Sequence, residues 1–128
     1  MARPIWAFDP LPPLSFDVLA VDPAWDFSTW SAKGEKKGPR AQYKTMSLAN
    51  IKELPVAQLA QRDCLLLLWA SAPMLPQALA CMQAWGFVYK STMVWRKVTA
   101  TGKVRMGTGY WVRTMHEQVL IGTLGSPR

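Results

Sequence analysis

Histidine is almost missing from this chain and cysteine is scarce, one and two residues in 128. With His116 alone, neither a histidine-based metal cluster nor a Ser-His-Asp triad can be assembled, and no metal is expected. Cys64 and Cys81 sit in apolar segments and form no C-x-x-C, so neither a disulfide framework nor a zinc site is legible. Unpaired thiols of this kind fit a reducing cytoplasm. Long hydrophobic runs are also missing. The longest, Cys64 to Ala70, falls far short of the roughly 20 residues that cross a bilayer, so no membrane association is expected. Met1 to Ser15 carries Arg3 but no apolar core, and Asp9 with Pro4, Pro10, Pro12 and Pro13 interrupts it; it does not read as a signal peptide. Repeats and low-complexity tracts are absent, and the length suits one domain with one core.

Acidic side chains are few: 8 Asp and Glu against 15 Lys and Arg, for a net charge of +7. The excess is concentrated. Lys33, Lys36, Lys37, Arg40 and Lys44 face Glu35 alone, and Lys90, Arg96, Lys97, Lys103, Arg105 and Arg113 occur with no acid among them. Between these clusters, Cys64 to Tyr89 carries no charged side chain. A neutral core segment between two basic segments suits a polyanion such as DNA or RNA, although a merely basic surface has the same composition.

The remaining pattern alternates strands and helices. Asp17–Asp22 is a short apolar run closed by Pro23 and reads as a buried strand. Trp30 to Tyr43, with Gly34, Gly38 and Pro39, reads as a loop. Ser47 is placed to cap a helix over Leu48–Leu54 that Pro55 ends, with a further turn over Val56–Gln61. Cys64–Trp69 reads as a second buried strand. Pro73 or Pro76 opens a helix in which Leu75, Ala78, Leu79 and Met82 recur at helical spacing before Gly86. Phe87–Val98 reads as a third strand, Thr99–Lys103 as a turn and Gln118–Gly122 as a fourth strand. Residues 1–15 form a Pro-rich extension and 16–128 the domain. The alternation predicts an α/β sheet with parallel strands, whose chemistry would lie at their carboxyl ends.

The first strand ends in Asp22-Pro23-Ala24-Trp25. This tetrapeptide resembles the D-P-P-W motif of amino-group methyltransferases that use S-adenosylmethionine. Tyr43-Lys44-Thr45-Met46, Leu54-Pro55-Val56, Leu67-Leu68-Trp69 and Ala84-Trp85-Gly86-Phe87 continue the likeness, as do Val94-Trp95-Arg96-Lys97, the run Gly107 to Arg113, and His116-Glu117. Over residues 16 to 128 the chain is similar to the family of mRNA adenosine methyltransferases and their bacterial and phage DNA relatives. The resemblance implies a Rossmann-like methyltransferase fold, S-adenosylmethionine as cofactor, and the 6-amino group of adenine in DNA, or RNA, as acceptor. Asp22, Pro23 and Trp25 would be catalytic. Tyr43, Lys33, Lys36, Lys37, Arg40, Trp95, Lys97, Arg113 and Glu117 would meet the substrate, and Asp22 would also face the cofactor.

Chemistry supports that assignment. An adenine amine is a weak nucleophile because its lone pair is delocalised into the ring. The Asp22 carboxylate and the Pro23 carbonyl can accept hydrogen bonds from it, aim its lone pair at the methyl group and favour the charge developing on nitrogen. Trp25 would stack the base, extruded from a duplex or already unpaired. The plainer alternative makes Asp22 a loop cap and Trp25 core. Two departures stand out. Ala24 replaces the motif's second proline, which predicts a looser loop. The family's later segments, which supply much of the cofactor pocket, have no counterpart before Arg128, and Gly107-Thr108-Gly109 is a lone G-x-G best read as a turn. The expectation is therefore the front half of the sheet only, with an exposed strand edge open to a homodimer or to another methyltransferase chain. A catalytically silent nucleic-acid-binding remnant, or a methyltransferase for another planar amine, are the alternatives.

Overall fold

The structure, a computed structural model, describes residues 5–26, 44–104, 106 and 115–128. In these residues four strands form one sheet: β1 (Phe16–Val21), β2 (Ala60–Ala70), β3 (Val88–Arg96) and β4 (His116–Leu124), in the order β1-β2-β4-β3. Among the described residues two helices, α1 (Leu48–Glu53) and α2 (Leu75–Ala84), are each accompanied by a 3₁₀ turn, Val56–Leu59 after α1 and Ala72–Met74 before α2. This is a mixed α/β architecture.

Local chemistry sets the elements. The Ser47 hydroxyl accepts the Asn50 N–H at 3.2 Å and caps α1 as expected. Pro73 enters the turn that leads into α2, and Gly86, at φ +82°, takes the left-handed conformation just past the helix end. The stripe on α2 differs from the spacing argument: Ala78, Cys81 and Met82 are buried, whereas Leu79 is exposed. Four-residue spacing from Leu75 follows a line that drifts off the buried face, while Cys81 lies at its centre. The Thr99–Lys103 turn forms, closed by the Thr99 N–H to the Lys103 carbonyl at 2.7 Å, with Gly102 at φ +82°.

Two strand expectations need correction. β1 and β2 are parallel, but β4 lies between β2 and β3 and runs antiparallel to both. An apolar pattern is the same in either direction, so the sequence carried no sign of this reversal. β1 is also not buried on both faces: Leu19 is core, whereas Val18 is 50% exposed. An edge strand has one neighbour, and among the described residues no helix covers the Val18 side. β2 extends further than its all-apolar part, and only Cys64, Leu66, Leu68 and Ala70 of its alternating residues are fully buried.

The core lies between that face of the sheet and the helices. Ile51 of α1, Met82 of α2, Trp85 and Phe87 complete it. The Trp85 indole N–H donates to the Ile51 carbonyl at 3.2 Å and ties the two helices together. Gly122 of β4 lets α2 approach closely, since a Cβ there would lie 2.8 Å from the Met82 sulfur. Residues preceding β1 lie against this unit: the Leu14 and Ser15 N–H groups donate to the Gln58 and Leu59 carbonyls at 2.7 and 3.0 Å.

Candidate active site

Register brings one end of the sheet into focus. β1 ends at Val21, paired with Leu68, so Asp22 emerges beside Trp69. Trp69 is paired with Val119, Ala70 with Gln118, and across β4 Trp95 is paired with Glu117 and Arg96 with His116. Asp22, Trp69, Trp95 and Glu117 thus gather where the parallel pair ends, the position that open α/β sheets use for chemistry. Strand alternation carries Trp69, Glu117 and Trp95 to the side of the sheet away from the helices.

Three hydrogen bonds hold the turn after Asp22. The Trp25 backbone N–H donates to the Pro23 carbonyl at 2.8 Å, the Met46 N–H to the Ala24 carbonyl at 2.9 Å, and the Trp25 indole N–H to the Trp69 carbonyl at 3.1 Å. Trp25 and Met46 form a parallel bridge. These bonds restrain the turn in which Ala24 stands where the motif has a second proline. Trp25 also departs from its expected role: at 3% exposure its indole belongs to the core and offers no open face to a base. Pro23 is buried, and its carbonyl already accepts one hydrogen bond; a second lone pair remains for an amine.

An aromatic and ionic cluster stands opposite. Trp95, 48% exposed, meets Trp69 edge to face with ring centroids 6.4 Å apart. The Lys97 ammonium lies 5.6 Å from the centre of the Trp95 ring and 3.4 Å from a Glu117 carboxylate oxygen. The backbone N–H of Lys97 donates to the Met115 carbonyl at 3.1 Å, which holds the backbone from which this side chain extends. Asp22 responds to these neighbours. Partial desolvation raises its pKa above the ordinary carboxylate value, Glu117 raises it further, and Lys97 opposes both.

The structure thus brings Asp22, Pro23, Trp95, Lys97 and Glu117 to one end of the sheet. Lys33, Lys36, Lys37, Arg40, Tyr43 and Arg113 lie outside the described residues, as do the Trp30–Tyr43 loop and Gly107-Thr108-Gly109. Trp69 and Ser71 were not among the expected site residues. Trp69 supplies the carbonyl that anchors Trp25; its position at the carboxyl end of the strand beside Asp22 was the available signal. The Ser71 hydroxyl, one residue beyond β2, is buried and has no hydrogen-bond partner among the described residues.

For a methyl donor, Asp22 and the unpartnered Ser71 hydroxyl are polar groups that the described residues bring to this end of the sheet, a partial set for so large a cofactor. Among the described residues no cluster of His, Cys, Asp and Glu is arranged to hold a metal ion, and no helix is long and apolar enough to cross a membrane.

A mixed sheet whose first strand feeds an Asp-Pro-x-Trp turn, with helices packed on one face, is the α/β architecture of a partial Rossmann-like methyltransferase fold. The MT-A70 family model matches residues 16–128, and the chain belongs to the MT-A70 family. A Type II methyltransferase, M.MunI of Mycoplasma sp, is 27% identical over 107 residues, covering 71% of this chain and 46% of that protein. The chain thus spans about half the length of this curated relative.

Proposed function

We propose that this chain is an S-adenosylmethionine-dependent methyltransferase domain acting on the 6-amino group of adenine in DNA, with RNA as the alternative acceptor. The observation that carries this reading is the pinned Asp22-Pro23 turn at the end of β1, facing an open aromatic and cationic wall. Asp22 and the Pro23 carbonyl accept the two amine hydrogens and orient the nitrogen lone pair. Trp95, exposed and braced by Trp69, takes the stacking role that the buried Trp25 cannot fill. Lys97 and Glu117 border the base, and the basic residues Lys33, Lys36, Lys37, Arg40 and Arg113, with Tyr43, serve the strand that carries it. When bound, the sulfonium cofactor supplies an electrophilic methyl group. Asp22 would hold the amine with its lone pair toward that methyl group, take up the surplus amine proton and pass it to solvent. A carboxylate raised by desolvation and by Glu117 suits that acceptor role.

A reducing cytoplasm suits its two buried, unpaired cysteines. A homodimer, or pairing with another methyltransferase chain, would complete the donor pocket. The partial donor set also favours a second reading, a nucleic-acid-binding protein without catalysis.

The test is transfer of labelled methyl groups from S-adenosylmethionine to single-stranded DNA, duplex DNA and RNA, followed by nucleoside analysis. Label in 6-methyladenine that falls by at least ~100-fold in Asp22→Ala is the expected result, given what a misoriented reacting group costs. Binding of oligonucleotides with no label in any acceptor selects the silent reading.

A further inference from the structure

All nine residues of β3 are exposed, and among the described residues no strand pairs with its outer side. Isolated edge strands are normally protected from association by charge, and Lys90 serves that purpose. It is the extra residue of a bulge, since Tyr89 pairs with Gly122 and Ser91 with the adjacent Ile121. Protection does not account for the rest of the strand. Tyr89, Val94 and Trp95 are all open to solvent, and such side chains work against solubility unless something covers them. The Tyr89 hydroxyl is hydrogen-bonded to that of Thr92 at 2.6 Å, which holds the phenol against the strand.

Charge selects the occupant. From Val88 to Val104 the charged residues are Lys90, Arg96, Lys97 and Lys103, with no acid. Glu117 partners Lys97 and leaves the other three cations without that neutralisation. The Thr99–Lys103 turn carries Lys103 just beyond the end of β3 nearest Asp22. Lys90 and Arg96 are six residues apart, roughly 20 Å along a strand. Cations at intervals along an exposed strand with aromatic side chains interleaved are the chemistry of single-stranded nucleic acid binding. A second copy of this chain, at +7, would meet the strip with like charge.

We propose that the outer edge of β3 is a track for single-stranded nucleic acid, with Lys90, Arg96 and Lys103 contacting phosphates and Tyr89 stacking a base. This rests on the reading of the chain as a nucleic-acid methyltransferase and adds the path taken by the strand flanking the target base. Tyr89 and Arg96 lie on the helix side of β3 and Trp95 on the other, so the track turns around this edge to reach the active site.

The test uses the full chain and a fluorescent single-stranded oligodeoxynucleotide, read by anisotropy across a salt series. Lys90→Glu with Arg96→Glu is compared with Lys52→Glu with Arg62→Glu, which changes net charge equally on α1 and at the far end of β2. The track predicts at least ~10-fold weaker binding for the first pair and a log–log salt slope shallower by about 1.4, two single-strand phosphate contacts. The control pair should move affinity less than ~3-fold. Tyr89→Ala should weaken binding by about 5-fold or more with the slope unchanged. Equal losses in both charge pairs, or none in the first, overturn the track. So does light scattering that finds a dimer in the parent chain and a monomer in the β3 variants, because the edge is then an interface between copies. Methyl transfer is scored separately: transfer with unaffected binding in the β3 variants refutes only the track, and strip-dependent binding without transfer refutes only the enzymatic reading.

Discussion

The two faces of the sheet are built from the same kinds of residue and meet opposite fates. On one, Leu66 and Leu68 of β2 are completely buried beneath α1 and α2, and Leu120 of β4 joins them. On the other, Leu65, Leu67 and Trp69 alternate with those residues and remain partly exposed, while Val18 and Met93 on the outer strands are open. Val119 is buried on this side but stands apart from the main core cluster. The first face supplies the fold's stability. The second carries the proposed site, because the Asp22, Trp69, Glu117 and Trp95 cluster rises from the side that no described helix covers. The core and the proposed site are thus separated across a layer one strand thick.

Stability measurements offer the strongest way to break that comparison. Leu68→Ala removes a fully buried side chain between sheet and helices and is expected to cost about 2–5 kcal/mol in denaturant unfolding. Val18→Ala, on the neighbouring strand but on the open face, should cost less than about 1 kcal/mol. Comparable losses would mean that the open face is covered in solution.

A finer contrast lies between two tryptophans. Trp25→Phe keeps most of the buried ring but strands the Trp69 carbonyl, at an expected cost of about 1–2 kcal/mol. It should also speed amide exchange at Met46, whose N–H is held by the same turn. Trp95→Phe, on the open face, should change stability by no more than about 0.5 kcal/mol, since the ring contact with Trp69 persists. If instead Trp95→Phe were the costlier change, Trp95 would be a packing residue and its stacking role would fail.

These two indoles mark where the sequence was legible. Elements were readable because their signals are local: Ser47 before Leu48, Gly86 after α2, and the uncharged run through Cys64–Trp69. The position of Asp22 at a strand end followed from Pro23 closing an apolar run. What stayed hidden was decided by pairing. Neither the antiparallel course of β4 nor the burial of Trp25 has a local signature. The motif spacing of Trp25 is the same whether its indole meets a base or the Trp69 carbonyl. The Lys97–Glu117 pair likewise depends on β3 and β4 being neighbours, and Glu117 could equally have been matched with Arg113 from sequence alone.

Asp22 gives the smallest effect and the most direct link between the two faces. Its carboxyl is raised above the ordinary value chiefly by desolvation, then by Glu117, with Lys97 opposing. A carboxyl whose pKa is higher folded than unfolded binds its proton more tightly in the native state. Its ionisation therefore disfavours the fold: stability from this group is greatest below the unfolded pKa and declines as pH rises to the folded one. Asp22→Asn should accordingly melt slightly higher than the parent chain at pH 7, with the difference vanishing in acid. Because the residue is substantially exposed, solvent screening keeps the gain small. Glu117→Gln should recover part of it by removing the like charge, whereas Lys97→Met should deepen the penalty. An Asp22→Asn chain that melts lower at pH 7 would mean that the ionised carboxylate is held by favourable contacts. Asp22 would then be a structural cap of its loop, and the open face would lose its claim to the chemistry.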